Sequence, residues 1–167
     1  MNKKTKRLAF FGLMVALAFV FSYLESLIPF NFGIPGIKLG LANLVIVVAL
    51  YTVPKKDAFF IAIIRIVLAG FTFGGVTTML YSLAGGVLSF LVMAIMQKNN
   101  KFSIVGVSMA GGVVHNAGQM IVAGLVMNTA RIIYYFPFLI FAGLATGLLI
   151  GLVSNILISR LQKVIKL

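Results

Sequence analysis

Residues 137–159 read PFLIFAGLATGLLIGLVSNILIS, an apolar run that contains no charged side chain. A helix needs about 20 apolar residues to cross the roughly 30 Å of hydrocarbon in a bilayer, and this run is long enough to do so. We therefore predict a transmembrane helix at residues 137–159, and the other apolar runs of the chain have the same character.

Prolines, glycines and charged residues divide the chain into six such runs. The predicted helices cover residues 8–28, 39–53, 58–71, 76–96, 102–127 and 137–159. Residues 29–36 contain two prolines and two glycines, and Phe73-Gly74-Gly75 separates the third run from the fourth. The predicted fold is an all-α integral membrane protein, a single domain of six transmembrane helices over residues 1–167.

The composition excludes an ordinary soluble domain. Hydrophobic residues make up 62% of the chain and charged residues only 10%, whereas soluble domains are about half apolar and about a quarter charged. The net charge of +12 would fit a nucleic-acid partner, but the basic residues form small clusters between apolar runs and no single stripe. We therefore predict contact with the lipid bilayer and no binding of nucleic acid.

The basic residues also predict the orientation of the helices. With the N terminus inside the cell, eleven of the fourteen basic residues fall on the cytoplasmic side. These are Lys3, Lys4, Lys6, Arg7, Lys55, Lys56, Lys98, Lys101, Arg160, Lys163 and Lys166. Cytoplasmic loops of membrane proteins carry an excess of Lys and Arg, so both termini are predicted to be cytoplasmic.

Polar side chains inside the predicted spans concentrate toward the outer side of the membrane. From the rise of a helix, Glu25 lies about 25 Å and His115 about 20 Å above the inner edge, with Gln119 one turn higher. Asn43 and Tyr81 fall in the outer thirds of their helices. Because polar groups are costly in lipid and commonly functional, we predict a ligand pocket open to the outside above an inner half of packed hydrocarbon.

Two segments are predicted to complete this pocket. Residues 29–36, which include Asn31, would cap it, since irregular backbone enters a membrane only where protein or a water-filled cavity surrounds it. In His115-Asn116-Ala117-Gly118-Gln119, the first and last residues share one helix face and Asn116 points about 100° away. This cluster could contact a ligand, bond a neighbouring helix or transfer a proton. A metal site is not expected from one histidine and two carboxylates.

Arg65 is a basic residue near the middle of a predicted span. A guanidinium at that depth must face the bundle interior and find partners, and Glu25 is the acidic residue best placed to pair with it. Either the pair fixes the packing of the helices, or Arg65 or Arg131 contacts an anionic group of a ligand. Asp57, beside two lysines, is predicted to be a charge at a helix N terminus.

Small residues are spaced for close helix contact. Gly143, Gly147 and Gly151 repeat every four residues and form one smooth face, and Gly12 and Ala16 form a similar pair in the first helix. Such faces let helices approach closely in lipid. Each face could serve internal packing or could dock another membrane protein.

Aromatic residues are predicted to flank the outer ends of the helices. They are Phe71, Phe73, Tyr134, Tyr135, Phe136 and Phe138. Most are expected to belong to an interfacial belt, and a few could line the mouth of the pocket.

No arrangement of residues in the chain is typical of catalysis. The sequence lacks a P-loop, an aspartate-rich motif that would bind diphosphate through magnesium, and a nucleophile–base pair. We therefore predict a protein that is not an enzyme and that does not hydrolyse ATP by itself.

Four stretches resemble one known family. YLESLIP (23–29), PGIKLGLAN (35–43), YSLAGG (81–86) and GGVVHNAGQ (111–119) are similar to the Gx transporter family, also called heptaprenyl diphosphate synthase component I. The resemblance covers nearly the whole chain. It implies a multi-pass protein of the bacterial cytoplasmic membrane, related in fold to the S components of energy-coupling factor (ECF) vitamin transporters.

The resemblance also implies functions. S components have an outward pocket, and their first helix docks a coupling protein driven by two ATPases, a role that Gly12 and Ala16 would have here. Family members are also associated with extracellular electron transfer beside flavin-binding partners, which makes a quinone or a flavin a candidate ligand. The leading hypothesis is a ligand-binding membrane protein with Glu25, Asn31, Asn43, Arg65, Tyr81, His115, Asn116, Gln119 and Arg131 as site residues. An electron-transfer subunit is the alternative, and an accessory role in polyprenyl diphosphate synthesis is weaker because the chain has one aspartate.

Overall fold

The computed structural model describes residues 2–28, 40–99 and 101–164, and every regular element within these ranges is a helix. The α-helices are α1 (Lys3–Leu27), α2 (Leu41–Thr52), α3 (Lys55–Ala69), α4 (Gly75–Lys98), α5 (Ile104–Met127) and α6 (Phe136–Val164). Four continuous helical stretches are long and apolar enough to cross a bilayer, and α2 is a shorter apolar helix. These stretches are Lys4–Leu27, Lys55–Lys98, Ile104–Met127 and Arg131–Lys163. The all-helical prediction is confirmed for the described residues, and the chain is a membrane protein.

Helices α1 and α6 extend beyond the predicted apolar runs into the basic segments that flank them. α1 begins at Lys3, where the Asn2 side chain accepts a hydrogen bond from the Lys4 N–H, and α6 continues to Val164. The predicted helices ended where the apolar runs end, but lysine and arginine are good helix formers. The backbone therefore stays helical past the last apolar residue.

The α3–α4 connection is a tight hairpin. A single π-helical turn, Gly70–Gly74, follows α3, and Gly75 then has a φ of 75°, which favours glycine. The chain folds back here, since Lys55 Nζ donates a hydrogen bond of 2.8 Å to the Ala94 carbonyl. The break predicted at Phe73-Gly74-Gly75 is present, but it is a change of helix type followed by one left-handed residue.

The glycine face of α6 packs against α5. A Cβ added at Gly147 would lie 2.6 Å from the Met109 Cα, and one at Gly151 would lie 2.7 Å from the Val105 Cα. Gly143 is similarly close to the backbone of Gly112. Of the two predicted roles for this face, the structure therefore has internal packing.

Helix α2 is the most enclosed element of the bundle. It contacts α1, α3 and α6, and the continuous run from Val45 to Leu50 is buried. A helix that is apolar on all sides is stable only when other elements surround it. The core of the bundle is built around this short helix.

Contacts between charged side chains hold the basic ends of the helices together. Arg7 and Asp57 form a bidentate pair, with Nε to Oδ2 at 2.7 Å and Nη2 to Oδ1 at 2.8 Å. Asp57 lies in the first turn of α3, as predicted. This pair and the Lys55–Ala94 bond bring the start of α1, the start of α3 and the end of α4 to one end of the bundle.

Candidate ligand-binding site

A cavity of about 300 Å³ lies inside the bundle, with lining residues from all six α-helices. Its lining includes Glu25 at the end of α1 and Thr78 at the start of α4, and we call this end of the cavity the rim. These helix ends lie opposite the basic ends held by Arg7 and Asp57. The cavity therefore extends toward the end of the bundle opposite the Arg7–Asp57 pair.

The structure brings six of the nine predicted site residues together around this cavity. They are Glu25, Asn43, Arg65, His115, Asn116 and Gln119. Tyr81 does not line it, because the neighbouring cavity-facing positions on α4 are Thr78 and Ser82. Arg131 is exposed in the 3-10 helix Ala130–Tyr135, beyond the end of α5. Asn31 lies outside the described residues.

Arg65 is held in the cavity wall by uncharged partners. Its Nη2 donates a hydrogen bond of 3.0 Å to Asn43 Oδ1, and its Nη1 donates one of 3.5 Å to Ser22 Oγ. Glu25 lines the same cavity, and its predicted ion pair with Arg65 stays a prediction. The buried Nε of Arg65 has no hydrogen-bond partner among the described residues, so one strong donor of the guanidinium is unsatisfied.

Glu25 also connects α1 to the start of α2. Its Oε1 accepts a hydrogen bond from the backbone N–H of Gly40. Gly40 has a φ of 75°, and a Cβ there would lie 2.8 Å from Ile150 Cδ1 of α6. Only glycine fits this close approach without displacing a neighbour, so the start of α2 and the Glu25 carboxylate are fixed together.

His115 and Gln119 form the wall of the cavity contributed by α5. They lie one turn apart against Gly85 of α4, where a Cβ would be 2.9 Å from Gln119 Cγ and 3.2 Å from His115 Cε1. On the other side of α4, a Cβ at Gly86 would lie 2.7 Å from Ile66 Cδ1. Ile66 adjoins Arg65 in α3, so the guanidinium and the imidazole lie at a similar depth on different walls.

Asn116 has a structural bond in addition to its position beside the cavity. Its Nδ2 donates a hydrogen bond of 2.8 Å to the Leu139 carbonyl of α6. Of the roles predicted for the His115–Gln119 segment, bonding to a neighbouring helix is therefore present at Asn116.

The cavity reaches deeper than the sequence predicted. Ser89 of α4 and Ser108 of α5 border it in the inner halves of their helices, where packed hydrocarbon was expected. Sequence reasoning missed them because a serine in a helix can satisfy its own hydroxyl and needs no partner. The spacing of Ser108, Gly111, His115 and Gln119 on one face of α5 would have indicated Ser108.

One of the predicted aromatic residues borders the cavity. Phe73 contacts the rings of Phe19 and Tyr23 of α1, with 5.7 Å between centroids in each case, and it lines the cavity. Phe71 and Tyr134 are 75% and 83% exposed, which fits the interfacial belt. The described residues contain no group of three His, Cys, Asp or Glu side chains that could hold a metal ion.

Most of the chain is similar to one known protein family. The profile of a family described as heptaprenyl diphosphate synthase component I matches residues 14–157. The chain belongs to this family. The resemblance predicted from the sequence is thereby confirmed. No curated protein and no solved structure gives a significant match.

The match to the heptaprenyl diphosphate synthase component I family encloses every cavity-lining residue and ends before the basic C terminus. It begins at residue 14, so Gly12 lies outside it and Ala16 near its start. Both are exposed on α1, and a Cβ added at Gly12 would meet nothing within 4 Å. No described part of the chain therefore covers this face.

Proposed function

We propose that this protein captures a small organic ligand from the extracytoplasmic side of the membrane and holds it in the cavity between the helices. The observation that carries the proposal is the grouping of Glu25, Arg65, His115 and Gln119 around one cavity in a chain that is 62% hydrophobic. Charged groups are rare inside membrane-spanning bundles and usually mark substrate or ion pathways. Its volume of about 300 Å³ is at the lower end of the range for small-molecule sites.

Arg65 is the main ligand contact in this proposal. Its Nε is a buried donor without a partner among the described residues, and a guanidinium favours a carboxylate, a phosphate or a carbonyl oxygen. Glu25 is engaged by the Gly40 N–H and balances the arginine charge. We infer that the ligand presents a hydrogen-bond acceptor to Arg65 and contacts His115 and Gln119 with its other side.

The proposed topology has six transmembrane helices with both termini in the cytoplasm. Support comes from the eleven basic residues assigned to the inner side and from the contacts that join the starts of α1 and α3 to the end of α4. With this orientation the rim at Glu25 and Thr78 faces outward.

The proposed mode of action is that of an ECF S component, with no chemical step catalysed by the chain. The exposed Gly12–Ala16 face of α1 is then the docking surface for a coupling protein that associates with ATPases. A quinone or flavin as the bound molecule would instead favour an electron-transfer subunit with a flavin-binding partner. The identity of the ligand therefore separates the two functions.

The test is to purify the protein from native membranes and to identify extracted small molecules by mass spectrometry. We expect one small molecule in stoichiometric amount. Arg65→Lys keeps the charge but loses the Nε donor, and it should lower the affinity of the protein for this molecule about 10- to 100-fold. Glu25→Gln and His115→Ala are expected to weaken binding while membrane insertion is retained.

Arg131→Gln is the matched control, because Arg131 is exposed and lies away from the cavity. A species retained equally by the Arg65, Glu25 and His115 variants would contradict the proposed site. Protein that is folded and free of any small molecule, with no ligand found in a binding screen, would contradict the proposed function.

A further inference from the structure

The deep end of the cavity is formed by Ser89 and Met93 of α4 and by Ser108 and Gly111 of α5, which we call the floor. Ser89 is 5% exposed and Ser108 is 3% exposed, so both are buried. The floor lies outside the residues assigned to the ligand above.

The two serines lie close to the same glycine. A Cβ added at Gly111 would be 3.2 Å from Ser89 Oγ, and Ser108 lies one turn before Gly111 on the same face of α5. Gly147 of α6 lies behind Ser108, where a Cβ would be 2.8 Å from the Ser108 carbonyl oxygen. Gly111 and Gly147 therefore let α4, α5 and α6 pack closely around the two serines at this end of the cavity.

The hydrogen bonding of these serines differs from that of the hydroxyls that bond to a carbonyl of their own helix. Ser22 donates to the Ala18 carbonyl at 2.9 Å and Thr146 to the Ala142 carbonyl at 2.8 Å, the usual arrangement within helices. Ser89 and Ser108 make no side-chain hydrogen bond with any described residue. Buried hydroxyls without partners are unfavourable, and both of these border the cavity.

The charge distribution separates the floor from the rim. Glu25 and Arg65 are the charged residues among the described lining residues, and both lie toward the rim. Ser108 lies seven residues below His115 on α5, a rise of about 10 Å. The floor is therefore uncharged and well removed from the guanidinium.

We propose that the floor is a subsite in which Ser89 and Ser108 hydrogen-bond a neutral polar group (hydroxyl, carbonyl or amide) at one end of the ligand. This inference rests on the proposed function and specifies its ligand as an elongated molecule with polar groups at both ends. An acceptor at one end binds Arg65, and the neutral group reaches the floor. A plain hydrocarbon tail is excluded from the floor, because it would leave both hydroxyls unpaired in a dry environment.

Two simpler roles would also fit serines at these positions, and both differ from the subsite in what they predict. As small residues the serines could serve only the close packing of α4 on α5, or they could hold a water molecule without contacting the ligand. With either role, substitution by alanine leaves the selectivity for the end of the ligand unchanged.

The probes for the test are ω-hydroxyoctanoate and nonanoate, which differ by a hydroxyl in place of a terminal methyl group. Both carry a carboxylate for Arg65, and their extended chains are comparable in length to the rise from Ser108 to His115. Binding of the radiolabelled probes is measured by equilibrium dialysis against the full chain in lipid nanodiscs, with empty nanodiscs to subtract partition into lipid.

We expect the wild-type protein to bind ω-hydroxyoctanoate more tightly than nonanoate, although nonanoate is the more hydrophobic probe. Ser89→Ala and Ser108→Ala should each weaken ω-hydroxyoctanoate by about threefold to tenfold and leave nonanoate unchanged or tighter. Arg65→Lys should weaken both probes equally. Ser154→Ala is the control, because Ser154 is fully buried but does not line the cavity.

Equal affinities for the two probes, or a preference that survives both alanine variants, would overturn the floor subsite and leave the proposed function standing. Failure of both probes to bind a protein that still co-purifies with a small molecule would also overturn the subsite, together with the acceptor assigned to Arg65. Failure of both probes with no co-purified molecule would overturn the proposed function as well.

Discussion

Between α5 and α6 the interior of this protein is filled by backbone, whereas between α3 and α5 it is a cavity lined by polar side chains. In the first region, Gly147 and Gly151 bring α6 against the backbone of α5. In the second, Arg65 and His115 approach the cavity from different walls. Helix α5 belongs to both regions.

The difference follows from what holds helices together in lipid. Association in a bilayer relies on van der Waals contact and hydrogen bonds, because lipid tails are as apolar as the side chains they would replace. Glycine favours close van der Waals contact, and polar residues supply hydrogen bonds. Added volume should therefore destabilise the α5–α6 contact, and loss of charge or hydrogen bonds should destabilise the cavity wall. Three predictions follow from this difference.

Removal of the Arg65 charge should have the largest effect on stability. Arg65→Met leaves the Asn43 oxygen without its donor and the Glu25 charge without a compensating cation. We expect a loss of about 3 kcal/mol, the low end for breaking a buried charge interaction, because the cavity solvates part of the charge. Reversible unfolding in mixed micelles measures this loss. The Arg65→Met/Glu25→Gln double variant should recover part of it, and strictly additive effects would show that the two charges are not coupled.

Added volume between α5 and α6 should have the next largest effect. The side chain of Gly147→Val would meet the backbone of Met109 and Ser108, and we expect a cost of about 2 kcal/mol. Gly12→Val is the matched control, since nothing lies within 4 Å of that position, and its stability should stay within about 0.5 kcal/mol of wild type. The same unfolding assay compares both variants, and equal losses would contradict the assigned packing.

Asn116 belongs to both regions and should give the smallest effect. Its amide bonds the Leu139 carbonyl at 2.8 Å, and interhelical hydrogen bonds in membranes contribute about 0.6 kcal/mol on average. We expect Asn116→Leu to lose about that much stability and to weaken ligand binding less than His115→Ala. A larger loss of binding than of stability would make Asn116 a direct ligand contact.

The helical segments and the outer part of the site were predictable because each follows from a strong local constraint. An apolar run of membrane length has few alternatives to a helix, and Arg65 in such a run must face the interior. Glu25, Asn43 and His115 could then be assigned to one pocket from their depths alone.

The floor of the cavity and the shape of the α3–α4 hairpin were not predictable in the same way. Ser89 and Ser108 border the same cavity because of how α4 packs on α5 at Gly85 and Gly111. The spacing along α5 could have indicated Ser108, but the contact between the two helices is not contained in any local pattern. The π-helical turn at Gly70–Gly74 likewise places Gly70 against the Met79 side chain of α4, a contact that the sequence does not indicate. Tyr81 lay at a suitable depth but on another face of its helix.

The length of α2 has a consequence for how ligand size could evolve. Its twelve residues rise about 18 Å, well short of the roughly 30 Å of hydrocarbon, and the cavity begins at its first turn, beside Gly40 and Asn43. The volume available to a guest therefore depends on where α2 begins. Inserting or deleting a turn at the start of α2 would rescale the chamber in one step, while the glycine-packed α5–α6 pair stayed as it is.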